Sequence, residues 1–212
     1  KQGACSALIT NPSLAGEIIA AAKEGAGDMP VSVKTRIGFN QVITEEWTGF
    51  LLEQEIAALS VHGRTVKQMS KVDANWDEIA KVVNLRNQMN INTSIIGNGD
   101  VTSHQQGLEY FEKYGVDGIM IGRGVFQNPW IFNPDKDIES VTLLERLQLM
   151  QKHVQMFQAE WEGEKHVAIL KKFFKIYLQS FPGASDYRVK YMEATTYEEV
   201  LKLLTKDITQ AS

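Results

Sequence analysis

The chain has 212 residues, 43% of them hydrophobic and 23% charged, with a formal net charge of −4. That length can bury a sizeable core, and the balance is that of an ordinary soluble globular protein. The charge excludes a uniformly basic nucleic-acid binder while leaving room for a local basic face, and the longest apolar runs, such as Ile18 to Ala22, fall far short of the roughly 20 residues of a membrane span.

The start, Lys1-Gln2-Gly3, has no secretory pattern. Because it does not begin with Met, the chain is read as processed, trimmed or partial. The single cysteine, Cys5, cannot form an internal disulfide or a Cys-rich zinc site, which suits a reducing cytoplasm.

In chain order, Pro12 to Glu24 reads as a helix. After it one theme repeats four times: a β-branched run, a Gly-rich or polar loop, then a helix. The runs are 31–35, 58–61, 94–97 and 117–121. The helices open near Thr44, Asn75 and Thr102 or Ser103, and Thr44-Glu45-Glu46 places acids where the helix dipole favours them. Strands alternating with helices of about 10–15 residues indicate parallel βαβ units. Four such units fit half an eight-stranded barrel or an open doubly wound sheet. From about Asn133-Pro134 the β-branched runs stop, and 142–161, 165–180, 187–192 and 197–204 read as helices. The expected division is therefore 1–135 and 136–212, with a boundary near 134–140.

In parallel β/α proteins ligand groups gather where strands end. Here the four ends carry Lys34, then His62 and Arg64, then Asn98 and Asp100, then Arg123. Gly97-Asn98-Gly99-Asp100 supplies backbone N–H groups that can converge on an anion ahead of a helix, and Gly122-Arg123-Gly124 adds a fixed positive charge. Asn98 and Gly122 are 24 residues apart, one βαβ repeat, so the two loops should be neighbours. Each loop alone is equally well an ordinary turn; as a pair they favour phosphate binding. Lys34 is either an exposed lysine or a cation held near an electron-rich ring, and His62 either a core histidine or a ligand contact.

Four phrases carry a resemblance: VSVKTRIG at 31–38, VHGRT at 61–65, IGNGD at 96–100 and GIMIGRG at 118–124. In this order and spacing, with Leu170 to Tyr177 and Phe181-Pro182-Gly183-Ala184 in the tail, the chain resembles the tRNA-dihydrouridine synthase family, and bacterial members most. The resemblance implies a (β/α)8 TIM barrel followed by a small all-helical C-terminal domain. It also implies FMN as cofactor, NADPH as reductant, and reduction of the C5–C6 double bond of selected uridines in tRNA. Hydride would pass from the flavin to C6, and a cysteine would protonate C5. Lys34 and His62 would contact the flavin ring, Asn98, Gly99, Asp100, Gly122 and Arg123 would hold its phosphate, and Arg64 would face the substrate.

The family's catalytic cysteine, in an Asn-x-Gly-Cys-Pro motif, would fall before Lys1, so no catalytic residue is expected in this chain. Cys5 is read as a small buried or bystander thiol. The strands would then be the fifth to eighth, with the first half of the barrel in the same full-length chain or supplied separately. The piece alone is expected to be inactive.

At helical spacing, Val167, Leu170, Phe173, Phe174, Tyr177 and Leu178 fall within an arc of roughly 140°, and Lys165, Lys171, Lys172 and Lys175 occupy the opposite arc of about 120°. The lysine face is either a solvated surface or a contact for tRNA phosphates, extended by Arg188 and Lys190; the resemblance favours tRNA. Trp76, Trp130 and Phe132 read as packing anchors, and Met150 and Met156 as core. His104, His153 and His166 are too scattered for a metal site. Two other functions fit less well: a noncatalytic phosphate- or RNA-binding fragment, and an FMN barrel oxidoreductase acting on a small molecule.

Overall fold

A computed structural model describes residues 3–211. The chain divides into two compact units, Lys1–Gly124 and Val125–Ser212. The division falls ahead of the expected 135/136, within a 3-10 turn, Arg123–Phe126, that follows the last strand and precedes Pro129 and Pro134.

Unit one begins with a 3-10 segment, Cys5–Thr10, and helix α1, Pro12–Ala26. It continues as β1 Ser32–Arg36, α2 Thr44–Leu52, β2 Ala58–His62, α3 Trp76–Gln88, β3 Ser94–Asn98, α4 His104–Tyr114 and β4 Gly118–Met120. The strands form one parallel sheet in the order β1-β2-β3-β4. Asn75 and Ser103 cap α3 and α4 by accepting from the Glu78 and Gln106 N–H groups. Gly115, at φ 66°, ends α4 in the left-handed conformation that a glycine adopts at little cost.

Alternation along the strands sends Leu59, Val61 and Ile95 to one face, where they join Leu51, Leu52, Ile79, Val82 and Val83 in a buried core. Each such side chain stabilises the fold by about 1.5–3 kcal/mol. The opposite face carries Lys34, Arg36, Ser60, His62, Ile96 and Asn98. The registers Lys34 with Ser60, Arg36 with His62 and His62 with Asn98 place these polar groups side by side.

Unit two holds the 3-10 turn Ile138–Ser140, then α5 Leu143–Trp161, α6 Ala168–Tyr177, α7 Ala184–Glu193 and α8 Tyr197–Ala211. Thr142 and Glu145 form a capping box at the start of α5. The core gathers Leu147, Met150, Val154, Leu170, Phe174, Tyr191, Val200 and Leu204. Buried Asp207 accepts from the Tyr191 hydroxyl at 2.7 Å and pairs with Lys190.

Some expectations need correction. The helix expected over 165–180 spans Ala168–Tyr177. Met156 (62% exposed) is not core, and Phe132 (64% exposed) is not a packing anchor, since both lie on the outer side of their segments. Cys5 is exposed, which removes the buried-thiol reading. Among the described residues no helix is long and apolar enough to cross a membrane, and no group of His, Cys, Asp or Glu is placed to hold a metal ion.

Candidate functional site

The sheet delivers its chemistry at the carboxyl ends of the strands. The loop after β3 is shaped by two glycines. A Cβ on Gly97 would lie 2.3 Å from the Trp76 ring, and one on Gly99, at φ 137°, would lie 2.4 Å from Ala74 Cβ. The Trp76 indole N–H donates to Gly99 O at 2.9 Å, so the tryptophan that fills the Gly97 gap also fixes the loop. Asp100 then adopts a left-handed φ of 55°. The Gly99 and Asp100 N–H groups donate to no protein acceptor among the described residues. The Asn98 side-chain amide donates to Met120 O at 2.8 Å, tying the ends of β3 and β4 together.

The two Gly-rich loops are neighbours. Arg123 Nη2, from the loop after β4, stands 3.6 Å from Asp100 Oδ1. Most of the Arg123 side chain (65%) is exposed, and a Cβ on Gly122 would meet nothing within 4 Å, so a bound group can approach this edge.

The Asp100 side chain has partners of its own. Its carboxylate accepts from Arg64 and from the Ala74 N–H at 2.9 Å. Burial opposes its ionisation, but these hydrogen bonds and the charges of Arg64 and Arg123 outweigh that and lower its pKa. An ionised carboxylate repels a phosphate, so this side chain holds arginines; only the Asp100 backbone N–H suits an anion.

Arg64 also departs from its expected role. It is 3% exposed, and its three nitrogens are engaged: Nε donates to Val72 O at 2.6 Å, Nη1 lies 3.2 Å from His62 Nε2, and Nη2 pairs with Asp100. A side chain so enclosed does not face a substrate.

His62 is half-buried on the open face of the sheet. Desolvation first, then repulsion from Arg36, Lys34 and Arg64, outweighs the attraction of Asp100 and lowers its pKa to about 4. The ring is therefore neutral at physiological pH. Lys34 is exposed on the same face, and no protein group holds its ammonium among the described residues. Partial desolvation by the sheet, and then the Arg36 charge, lowers its pKa.

Arg36 was not singled out by sequence reasoning. Its Nη1 donates to Thr65 O at 2.8 Å and Met69 O at 3.1 Å, and its charge acts on both Lys34 and His62. The signal was present: in a strand, Lys34 and Arg36 share a face. Lys34, Arg36, Arg64 and Arg123 thus surround this edge with positive charge, and Asp100 is the acid that meets them. The arrangement suits an anionic group near the Gly99 and Gly122 loops and an electron-rich ring over the open face.

The tail cations divide. Lys172 and Lys175 are exposed on α6. Lys171 donates to Met192 O at 2.5 Å, and Lys165 lies over the Trp161 ring at 2.9 Å. Arg188 donates to Leu178 O at 2.6 Å, and Lys190 is paired with buried Asp207. Lys190 is therefore corrected from an RNA contact to an internal ion pair, because its charge is compensated within the unit.

Taken together, these elements define a parallel β/α protein with a cationic site at the ends of its strands. Comparison with known proteins gives the family. A family model described as "Dihydrouridine synthase (Dus)" matches residues 1–212, and the chain belongs to that family. It is 43% identical over 206 residues to a "Probable tRNA-dihydrouridine synthase" of Staphylococcus aureus (strain MRSA252), covering 96% of this chain and 62% of that protein. It is 44% identical over 204 residues to "Probable tRNA-dihydrouridine synthase 2" of Bacillus subtilis (strain 168), covering 95% and 62%. The chain thus spans 62% of the length of these relatives. A match over residues 1–212 does not support the expectations that the first half of a barrel is lacking and that the chain is inactive.

Proposed function

We propose that this chain is the cofactor-binding and RNA-binding part of an FMN-dependent tRNA-dihydrouridine synthase that reduces the C5–C6 double bond of uridines in tRNA with NADPH, in the cytoplasm. The observation that carries the reading is the 3.6 Å approach of Arg123 to Asp100, which gathers the Gly99 and Gly122 loops around one cationic edge. Family membership and the printed names of the relatives support the substrate class. The sequential, all-parallel sheet with helices on one face and polar groups on the other fits four consecutive staves of a (β/α)8 barrel, read as the fifth to eighth.

The residues fit FMN on physical grounds. Arg123 and the N–H groups of Gly99 and Asp100 would receive the phosphate, with Gly122 leaving room for it. Asn98 would hold the loop in register through Met120. Neutral His62 and cationic Lys34 would face the ring, where the lysine favours negative charge on the reduced form. When bound, FMN would supply hydride to the uracil ring. Arg36 and Arg64 raise the positive potential of the edge without occupying it. Exposed Lys172 and Lys175 of α6 would contact RNA phosphates. No catalytic acid is assigned within the described residues.

The test is titration of the chain with FMN, followed by its protein-induced fluorescence change, and incubation of full-length protein with FMN, NADPH and unmodified tRNA. Saturable FMN binding and appearance of dihydrouridine are expected. Binding of neither FMN nor tRNA would end the proposal.

A further inference from the structure

Arg64 is the most enclosed cation of the candidate site, and its contacts have a consequence for the neighbouring histidine. A guanidinium carries only donors, five N–H bonds in a fixed plane, and is charged at every physiological pH. His62 Nε2 lies 3.2 Å from Arg64 Nη1, so this nitrogen must present its lone pair. The guanidinium cannot turn away. Its Nε is bonded to Val72 O at 2.6 Å and its Nη2 is held by Asp100, and a planar fork fixed at two corners fixes the third.

We infer that Arg64 is a positioning residue that locks His62 in the Nδ1–H tautomer, making the imidazole a hydrogen-bond donor toward the open face of the sheet. The inference rests on the flavin reading for what receives that hydrogen, but not for the tautomer itself. Nδ1 has no protein partner among the described residues, so its N–H is available to an acceptor such as a carbonyl oxygen or unprotonated ring nitrogen. Lys34, Arg36 and Arg64 all oppose protonation of the ring, while Asp100 alone favours it, and desolvation adds to the opposition. The histidine therefore neither carries charge nor acts as a proton acceptor through Nε2. Asp100 completes the arrangement by holding the guanidinium at the angle that delivers Nη1 to the ring.

Long-range 1H–15N correlation spectra of the 15N-labelled, ligand-free chain read the tautomer directly. At pH 7 a single His62 pattern with protonated Nδ1 and bare Nε2 is expected. A protonated Nε2, or an averaged pattern from fast exchange of tautomers, overturns the inference whatever the flavin result. In Arg64→Met the pattern should shift to a mixture, with the titration midpoint of His62 moving up from about 4 toward the ordinary histidine range; an unchanged pure Nδ1–H pattern also overturns it. If Arg64→Met does not fold, Asp100→Asn provides the second reading, with tautomer exchange expected as the guanidinium loosens. Riboflavin and FMN should both bind Arg64→Met about tenfold more weakly, since the lost donor faces the ring they share. If the wild-type chain has the Nδ1–H tautomer yet binds neither compound, the flavin reading fails while the lock on His62 stands.

Discussion

Arg123 Nη2 lies 3.6 Å from Asp100 Oδ1, which joins the loop after the third strand to the loop after the fourth. One end of the contact is fixed and the other is open. Asp100 is anchored by Arg64 and the Ala74 N–H, whereas 65% of the Arg123 side chain reaches solvent. The carboxylate thus holds one end of the contact while the guanidinium stays open to solvent.

Arg123→Ala should leave the fold intact, because the side chain is exposed, and weaken FMN binding by about 10- to 100-fold, the value of one charge-assisted hydrogen bond. Riboflavin lacks the phosphate, so its affinity should not change. Fluorescence titration with both compounds checks this; equal weakening of both would place Arg123 away from the phosphate.

Gly97→Ala should destabilise unit one by about 1–3 kcal/mol, since the added methyl would sit 2.3 Å from the Trp76 ring. Displacing that ring also loosens its bond to Gly99 O. Urea unfolding followed by tryptophan fluorescence measures the cost, and FMN affinity should fall with it.

Stability should decline as pH falls from about 6.5 to about 4 through His62. Its folded pKa is depressed to about 4 from 6.5, so in that window the unfolded chain binds a proton that the folded chain refuses. The loss is at most about 3 kcal/mol, smaller to the extent that solvent reaches the ring. Denaturant midpoints for wild type and His62→Gln between pH 7 and 4 should diverge from the wild-type side only; parallel curves would contradict it.

Lys172→Glu with Lys175→Glu should weaken tRNA binding and reduce the slope of log affinity against log salt by about 2. Lys190→Ala should act differently. Its partner Asp207 is buried (2% exposed), so removing the lysine should lower the unfolding free energy by about 1–3 kcal/mol and leave the salt slope unchanged. Filter binding over a salt series, with thermal unfolding alongside, separates the two.

Much of the architecture could be read along the chain because it is written in local pattern. β-branched runs lie within a residue or two of the four strands, and Asn75 and Ser103 stand where the third and fourth helices are capped. Of the apolar arc, Leu170, Phe174 and Tyr177 are buried on the helix and Val167 and Leu178 at its two caps, while Phe173 is only partly buried. Two misplacements, Met156 and Phe132, arise because apolar character alone does not say which residue of a segment meets the core.

Sequence alone also placed His62 and Asn98 at the ends of their strands and Arg123 just beyond the fourth, because such breaks in a β-branched run are local; Lys34, expected to close the first strand, lies inside it, and Arg36 closes it. It could not determine what each charge does. Whether Arg64 reaches outward or turns inward depends on His62 at the end of the second strand and on Val72 and Asp100 in the segments after the second and third strands. Whether Lys190 is available depends on Asp207, 17 residues away on another helix. Charge pairing is a matter of distance in space, and only the tertiary structure brings the partners within it.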